Sequence, residues 1–198
     1  MRYSAKHKLE TRARILDAAG RMFRTEGYGG SGIDGLTKAA GVTNGAFYGH
    51  FRTKSEAFRL AVVAGLEELR EGVAGLRAAQ PKRWLRAFVR YYLGHKRTCE
   101  LGEACALPSL SPDVMRADAE TQSAYTEELV RVIEEMAAGL SDEGSAREEA
   151  RRREDRAIAL LALLSGGVVM ARAVSDPALS DRIARVVERA ALASERPA

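Results

Sequence analysis

Apolar residues recur at three- and four-residue spacings along most of the chain, and no segment alternates like a strand. That periodicity predicts an all-α protein. A first helix over residues 9–25 carries Ile15, Ala18, Ala19, Met22 and Phe23 as its apolar stripe; Gly27 stops it and Tyr28 packs back as an anchor. Two short helices follow within residues 31–54. A fourth begins near Ser55 and Glu56 and continues towards Ala79, with Leu60, Val63, Leu66 and Leu69 on its buried side. Pro81 suits the first turn of a fifth helix that reaches about Lys96. Residues 98–112 read as a loop or broken helix, and residues 113–140 as one long helix or two collinear ones. A polar connector at residues 141–145 leads to a helix over 146–174 with two characters. Its first half is charged (REEARRREDR) and its second half is apolar nearly all round (AIALLALLSGGVVMA). Asp176 and Pro177 open a last helix bearing Leu179, Ile183, Val186, Val187 and Ala190.

A helix apolar on all sides must be buried on all sides. Part of residues 160–170 is therefore expected to meet a second subunit, with Gly166 and Gly167 allowing close backbone approach. The other reading is the central helix of a monomeric core.

The segment SGIDGLTKAAGVTNGAFYGHFRTK, residues 31–54, has the pattern of two helices joined by a tight turn. Ser31 is placed to cap the first by accepting a backbone N–H. Ile33, Leu36 and Ala40 share one face, Gly41 ends the helix, and Val42 plugs the turn. Thr43 is placed to cap the second helix, where Phe47 and Phe51 face inward together. Asn44, Gly45, Tyr48 and His50 remain to face outward. A helix–turn–helix sets such a face in a DNA major groove.

Charge supports that reading. Residues 1–60 carry eleven Lys or Arg against five Asp or Glu, a net of +6, whereas the remainder sums to −2. A basic head on a near-neutral body suits phosphate binding at one end only. The N-terminus is basic and lacks an apolar core, and the longest uncharged run, residues 157–171, falls short of the roughly 20 residues of a membrane span. A cytoplasmic protein with no membrane partner is expected. His7, His50 and His95 form no metal spacing with each other or with the cysteines. No nucleophile–base pair or phosphate loop is readable. The expectation is no enzyme, no catalytic residue, no metal and no cofactor.

Three stretches, RILDAAGRMFRTEGY, AAGVTNGAFYGHF and TKSEAF, resemble the tetracycline-repressor (TetR) family of bacterial transcription regulators. The likeness covers the first quarter to third of the chain. It implies a three-helix DNA-binding head at residues 1–54 (a family-type domain of about 9–69) and a larger helical body at residues 55–198. The body is expected to bind a small-molecule effector and to form a homodimer through its last two helices. The resemblance places Ser31 and Gly32 near phosphates, and Thr43, Asn44, Gly45 and Ala46 at the base edges. It places Tyr48, His50 and Lys54 on the DNA backbone. Gly32, Gly35 and Thr37 replace larger or better helix formers, and Gly49 is expected inside the recognition helix.

Asn44 has two readings, a bidentate pair to an adenine edge or a plain capping and surface role. Candidates for an effector pocket are Trp84, Phe88, Tyr91 and Tyr92, with Leu107, Tyr125, Leu129 and Met136. Several aromatics on the fifth helix point to an apolar or aromatic effector, although an aromatic cluster is also ordinary core. Cys99 and Cys105 are either a thiol switch or two ordinary reduced thiols. The function expected is a homodimeric repressor that binds a palindromic operator in double-stranded DNA and is released by its effector. The alternatives are a redox-responsive regulator through Cys99 and Cys105, a nonspecific architectural DNA binder, and an activator.

Overall fold

The computed structural model describes residues 5–140 and 146–193, so the expected connector at residues 141–145 lies outside the described residues. Among the described residues there is no strand. The α-helices are α1 (Ala5–Gly30), α2 (Ile33–Ala40), α3 (Asn44–Tyr48), α4 (Lys54–Ala79), α5 (Trp84–Leu93), α6 (His95–Thr98), α7 (Ala106–Val114), α8 (Ala119–Ala137), α9 (Ala146–Ala173) and α10 (Pro177–Ala193). A 3-10 turn, Leu101–Glu103, precedes α7.

Two compact units emerge from the packing: Met1–Gly65 with Glu100–Glu127, and Leu66–Cys99 with Glu128–Ala198. The first unit is larger than residues 1–54 and recruits a stretch from far along the chain. Its core is Ile15, Ala19, Phe23, Leu36, Phe47, Phe51 and Phe58, all at 1% exposure or less. Gly27 interrupts α1 with φ 71 and ψ 170, the stop that the sequence predicts. Tyr28 then turns inward. Its ring lies 5.0 Å from Phe58 and 6.0 Å from Phe23, and its N–H donates to Asp113 Oδ2 at 2.9 Å. Ser55 Oγ donates to Asp118, and Arg59 pairs with Glu120, so the recruited stretch is bonded to the start of α4. Gly65 meets α7 so closely that a Cβ there would stand 2.3 Å from the Ala106 Cβ.

Several elements depart from the sequence expectation. The first half of α4 buries Ala57, Phe58, Ala61 and Val62, while Leu60 and Val63 are only half-buried. Phe58 is the reason: it makes an edge contact with Phe23 at 5.2 Å, which sets the rotation of the helix. Pro81 does not open α5. It lies in a turn closed by Arg83 N–H to Gln80 O at 2.9 Å, and the helix begins at Trp84. Residues 106–112, expected within a loop or broken helix, belong to α7, which runs on to Val114. Residues 113–140 are not one helix, because α7 ends at Val114 and Asp118 starts α8 by accepting the Thr121 N–H at 2.8 Å.

In the second unit α5, α6, α9 and α10 gather around Phe88, Val89, Tyr92, Leu160, Leu164 and Val168. Arg172 closes the C-terminal end of α6, donating to the carbonyls of Lys96, Arg97 and Cys99 at 2.8–2.9 Å. Glu128 is buried at 1% exposure and is paired with Arg70 and Arg131, which satisfies a charge that would be costly alone. Asp176 and Pro177 open α10 as expected, with Asp176 Oδ1 accepting the Ala178 N–H. Gly167 packs against Val187 of α10 in the same chain, whereas nothing lies within 4 Å of a Cβ at Gly166. The stretch Glu148–Ala173 is long and apolar enough by composition to cross a membrane, unlike the uncharged run alone. Its buried residues serve instead as the core partner of α10.

Candidate nucleic-acid interface

The turn between α2 and α3 is built by local chemistry. Gly41 takes the left-handed conformation, φ 64 and ψ 38, at the end of α2. Its N–H and that of Val42 return to Lys38 O and Thr37 O, the hydrogen-bond closure typical of a glycine-terminated helix. Val42 is half-buried rather than a fully buried plug. Thr43 caps α3 as predicted, its Oγ1 accepting the Ala46 N–H at 3.2 Å. Phe47 and Phe51 pack with tilted rings 5.4 Å apart in the core, and they anchor α3 from behind.

That anchoring leaves an outward face. Asn44, Gly45 and Tyr48 are exposed and Ala46 is half-buried. Tyr48 is 56% exposed, with its ring edge-on to Phe47 at 5.3 Å. Asn44 is exposed but not unattached. Its Oδ1 accepts from the Thr37 hydroxyl at 2.7 Å, and its Nδ2 donates to Asp34 Oδ1 at 2.6 Å. His50 lies beyond the end of α3, half-buried, with Nδ1 shielded from solvent and without a hydrogen-bond partner. Burial first, and then Lys8 and Arg12 nearby, hold its pKa below the usual imidazole value. Arg12 also sits over the Phe51 ring at 5.2 Å. Two cations of α1, Lys8 and Arg12, thus lie close to His50 just beyond the end of α3.

Residues 15–61 match the sequence profile of the bacterial regulatory proteins of the tetR family. That segment, the region of α1 to the start of α4, carries the family's sequence signature. The HTH-type transcriptional regulator AcrR of Shigella flexneri is 49% identical over 49 residues, which are 25% of this chain and 23% of that protein. This chain aligns with less than half the length of the curated relatives it matches first. Over almost the whole chain the likeness is one of fold. Reduced NemR of E. coli gives a TM-score of 0.75 at 19% identity, covering 93% of this chain and 97% of that one. FadR of Bacillus subtilis in complex with stearoyl-CoA gives 0.63 at 16% identity, covering 88% and 96%.

Within this tetR-family head, three expected residues have different local roles. Ser31 does not cap α2. Its hydroxyl donates to Gly27 O at 2.8 Å and the side chain is buried, so it braces the broken end of α1. Gly32 takes the cap position, exposed and without a side-chain bond. Gly49 is not inside the recognition helix but follows it, in ordinary right-handed geometry at φ −72. Lys54 begins α4, yet its ammonium is bonded to Tyr28 O and lies 4.2 Å over the Tyr28 ring.

The pocket candidates separate between the two units. Trp84, Phe88 and Tyr92 are buried in the second unit, with Phe88 and Tyr92 rings 5.4 Å apart. The Trp84 indole donates to Gly139 O at 2.9 Å, and Trp84 also borders a depression of about 430 Å³ with Arg77, Pro81 and Ala138. Tyr91 points away from this core, 45% exposed and stacked on His95. Leu129 is half-buried and Met136 fully buried in the same unit. Leu107 and Tyr125 belong to the first unit, where the Tyr125 hydroxyl meets Ser111 Oγ at 2.9 Å. Cys105 is buried at 6% exposure. Cys99 is half-buried, with its Sγ donating to Lys96 O at 3.5 Å. Among the described residues no His, Cys, Asp and Glu group could hold a metal ion.

Sequence reasoning missed Asp34 and Thr37. They are the second and fifth residues of α2, and only the fold brings them to Asn44. The one available signal was Thr37 itself, a polar residue standing next to Leu36 on the inward face.

Proposed function

We propose that this chain is a sequence-specific transcriptional repressor that binds a palindromic operator as a homodimer and lets go when its body takes up a small apolar or aromatic effector. The observation that carries the reading is the outward face of α3, capped by Thr43 and anchored by Phe47, on a basic head that matches the tetR profile. Gly32, Thr43, Gly45, Ala46, Tyr48, His50 and Lys54 make up the DNA face, with Asn44 at its centre.

The second copy is suggested by α9 and α10. Val169 and Met170 of α9 and Leu179 and Val186 of α10 are 41–60% exposed, and Met170, Leu179 and Val186 border an apolar groove of about 390 Å³ with Gly166 and Ile183. Exposed apolar patches of this kind are the usual mark of an interface, and a two-fold dimer doubles the length of DNA read. An effector releases such a dimer only if it binds the released state more tightly than the DNA-bound one. The aromatic residues around Trp84, Phe88 and Tyr92 favour an apolar ligand, in keeping with the acyl-CoA held by the similarly folded FadR.

Selection of bound duplexes from a random-sequence pool at near-physiological salt tests the reading. The expected result is enrichment of one two-fold palindrome. Binding without enrichment, vanishing as salt rises, would leave only phosphate contacts and would favour the architectural alternative.

A further inference from the structure

Asn44 is the one side chain on α3 able to pair with a base edge through two hydrogen bonds, and α2 already holds both of its polar atoms. Thr37 donates to Oδ1 at 2.7 Å and Asp34 accepts from Nδ2 at 2.6 Å. Thr37 is 3% exposed, so this grip comes from inside the head. Its hydroxyl also reaches Asp34 O at 3.2 Å, which makes a closed network of α2 and α3 atoms. Turning Asn44 towards an adenine would break two bonds, one of them to a carboxylate. It would also uncover the Asp34 charge on a face meant for a polyanion.

Apart from the exposed Tyr48, what remains on the outward face of α3 and its cap is small and mostly apolar. Ala46 offers a methyl group, and Thr43 turns its oxygen to the Ala46 N–H, leaving a methyl as the other group on its Cβ. Gly45 offers no side chain, and a Cβ there would meet nothing closer than Thr43 Oγ1 at 3.9 Å. The space in front of Gly45 is therefore open, and a duplex can come close. Small apolar groups in the major groove recognise the 5-methyl of thymine.

We infer that Asn44 is a positioning residue that locks the recognition helix to α2, and that α3 selects thymine through Ala46 and the Thr43 methyl instead of pairing with adenine. The inference rests on the DNA-binding reading above and specifies which chemistry performs it.

The test uses the full chain and the operator obtained by selection. In one set of duplexes, deoxyuridine replaces each thymine in turn, removing only the methyl. In a second set, 7-deazaadenine replaces each adenine, removing the N7 acceptor. Wild-type affinity is expected to fall about fourfold for each methyl that α3 covers, the value of one buried carbon group, and to be unaffected by 7-deazaadenine. Thr37→Val cannot touch DNA from its buried position. It is nevertheless expected to shrink the methyl effect, as is Asn44→Ala, with the double variant no worse than either alone. The order of preferred bases stays the same in all three, and circular dichroism shows the helical fold retained. A wild-type loss on 7-deazaadenine that disappears in Asn44→Ala would overturn the inference and make Asn44 a direct reader. A wild-type chain that selects no sequence would overturn the regulator reading and this inference with it.

Discussion

At the residue scale, His50 stands out on the proposed DNA face because its pKa is lowered. Its ring is partly desolvated and stands near Lys8 and Arg12, so the cationic form is disfavoured. The sign follows from linkage. The unfolded chain takes up a proton near pH 6.5, while the folded head resists it, so stability contributed by neutral His50 is full above that value and declines as pH falls below it. NMR titration of the His50 ring protons is expected to give a midpoint below 6.5, moving upwards in Lys8→Ala and Arg12→Ala. A midpoint that ignores both substitutions would assign the whole shift to burial. Thr43 and Gly41 were readable in advance because capping and left-handed turns are local properties of one or two residues. Ser31 was misread for the same locality. Its neighbour in sequence is α2, yet its hydroxyl partner is Gly27, made available only by the break in α1.

At the scale of elements, the contact of α4 with α7 is the tightest described in the head. A Cβ at Gly65 would stand 2.3 Å from the Ala106 Cβ and 2.9 Å from the Arg24 guanidinium, so one helix must shift to admit it. Gly65→Ala is expected to cost about 1–3 kcal/mol by overpacking, although alanine is the better helix former. Urea unfolding that shows a higher midpoint for the variant would disprove the close approach. Helix existence was legible from periodicity almost throughout, but helix rotation was not. Leu60 and Val63 are larger than Ala57 and Ala61, and size drew the predicted stripe towards them. The aromatic packing of Phe58 on Phe23 and Tyr28 decided otherwise. Pro81 likewise looked like a helix start, because the bonding of Trp84 to Gly139, some fifty residues away, leaves no trace in local sequence.

For the whole molecule, the quantity to settle is how many chains act together. Val169 and Met170 are half or more exposed on a helix whose other side is core. Replacing either with glutamate places a charge in the proposed interface, at little cost to the single chain. Val169→Glu and Met170→Glu are expected to sediment as one chain with unchanged helix content, and to lose preference for a two-fold site over a half-site. A wild-type protein that already sediments as one chain at micromolar concentration would end the dimer proposal. The charged head and the apolar final helices were visible in composition alone. The effector site was not. Its candidate residues are ordinary core types, and whether such residues enclose a space depends on backbone placement, which no spacing rule encodes.

The head's dependence on Glu100–Glu127 also bears on how DNA preference could pass between relatives. A specificity module that ended at the last residue of the recognition region would arrive without part of its foundation: the partners of Tyr28, Ser55, Arg59 and Gly65 are all encoded later in the gene. Recombination at a single point therefore separates pieces that must match. If α3 reads the bases as proposed, change in the bases read is easier by substitution on α3 than by exchange of whole heads.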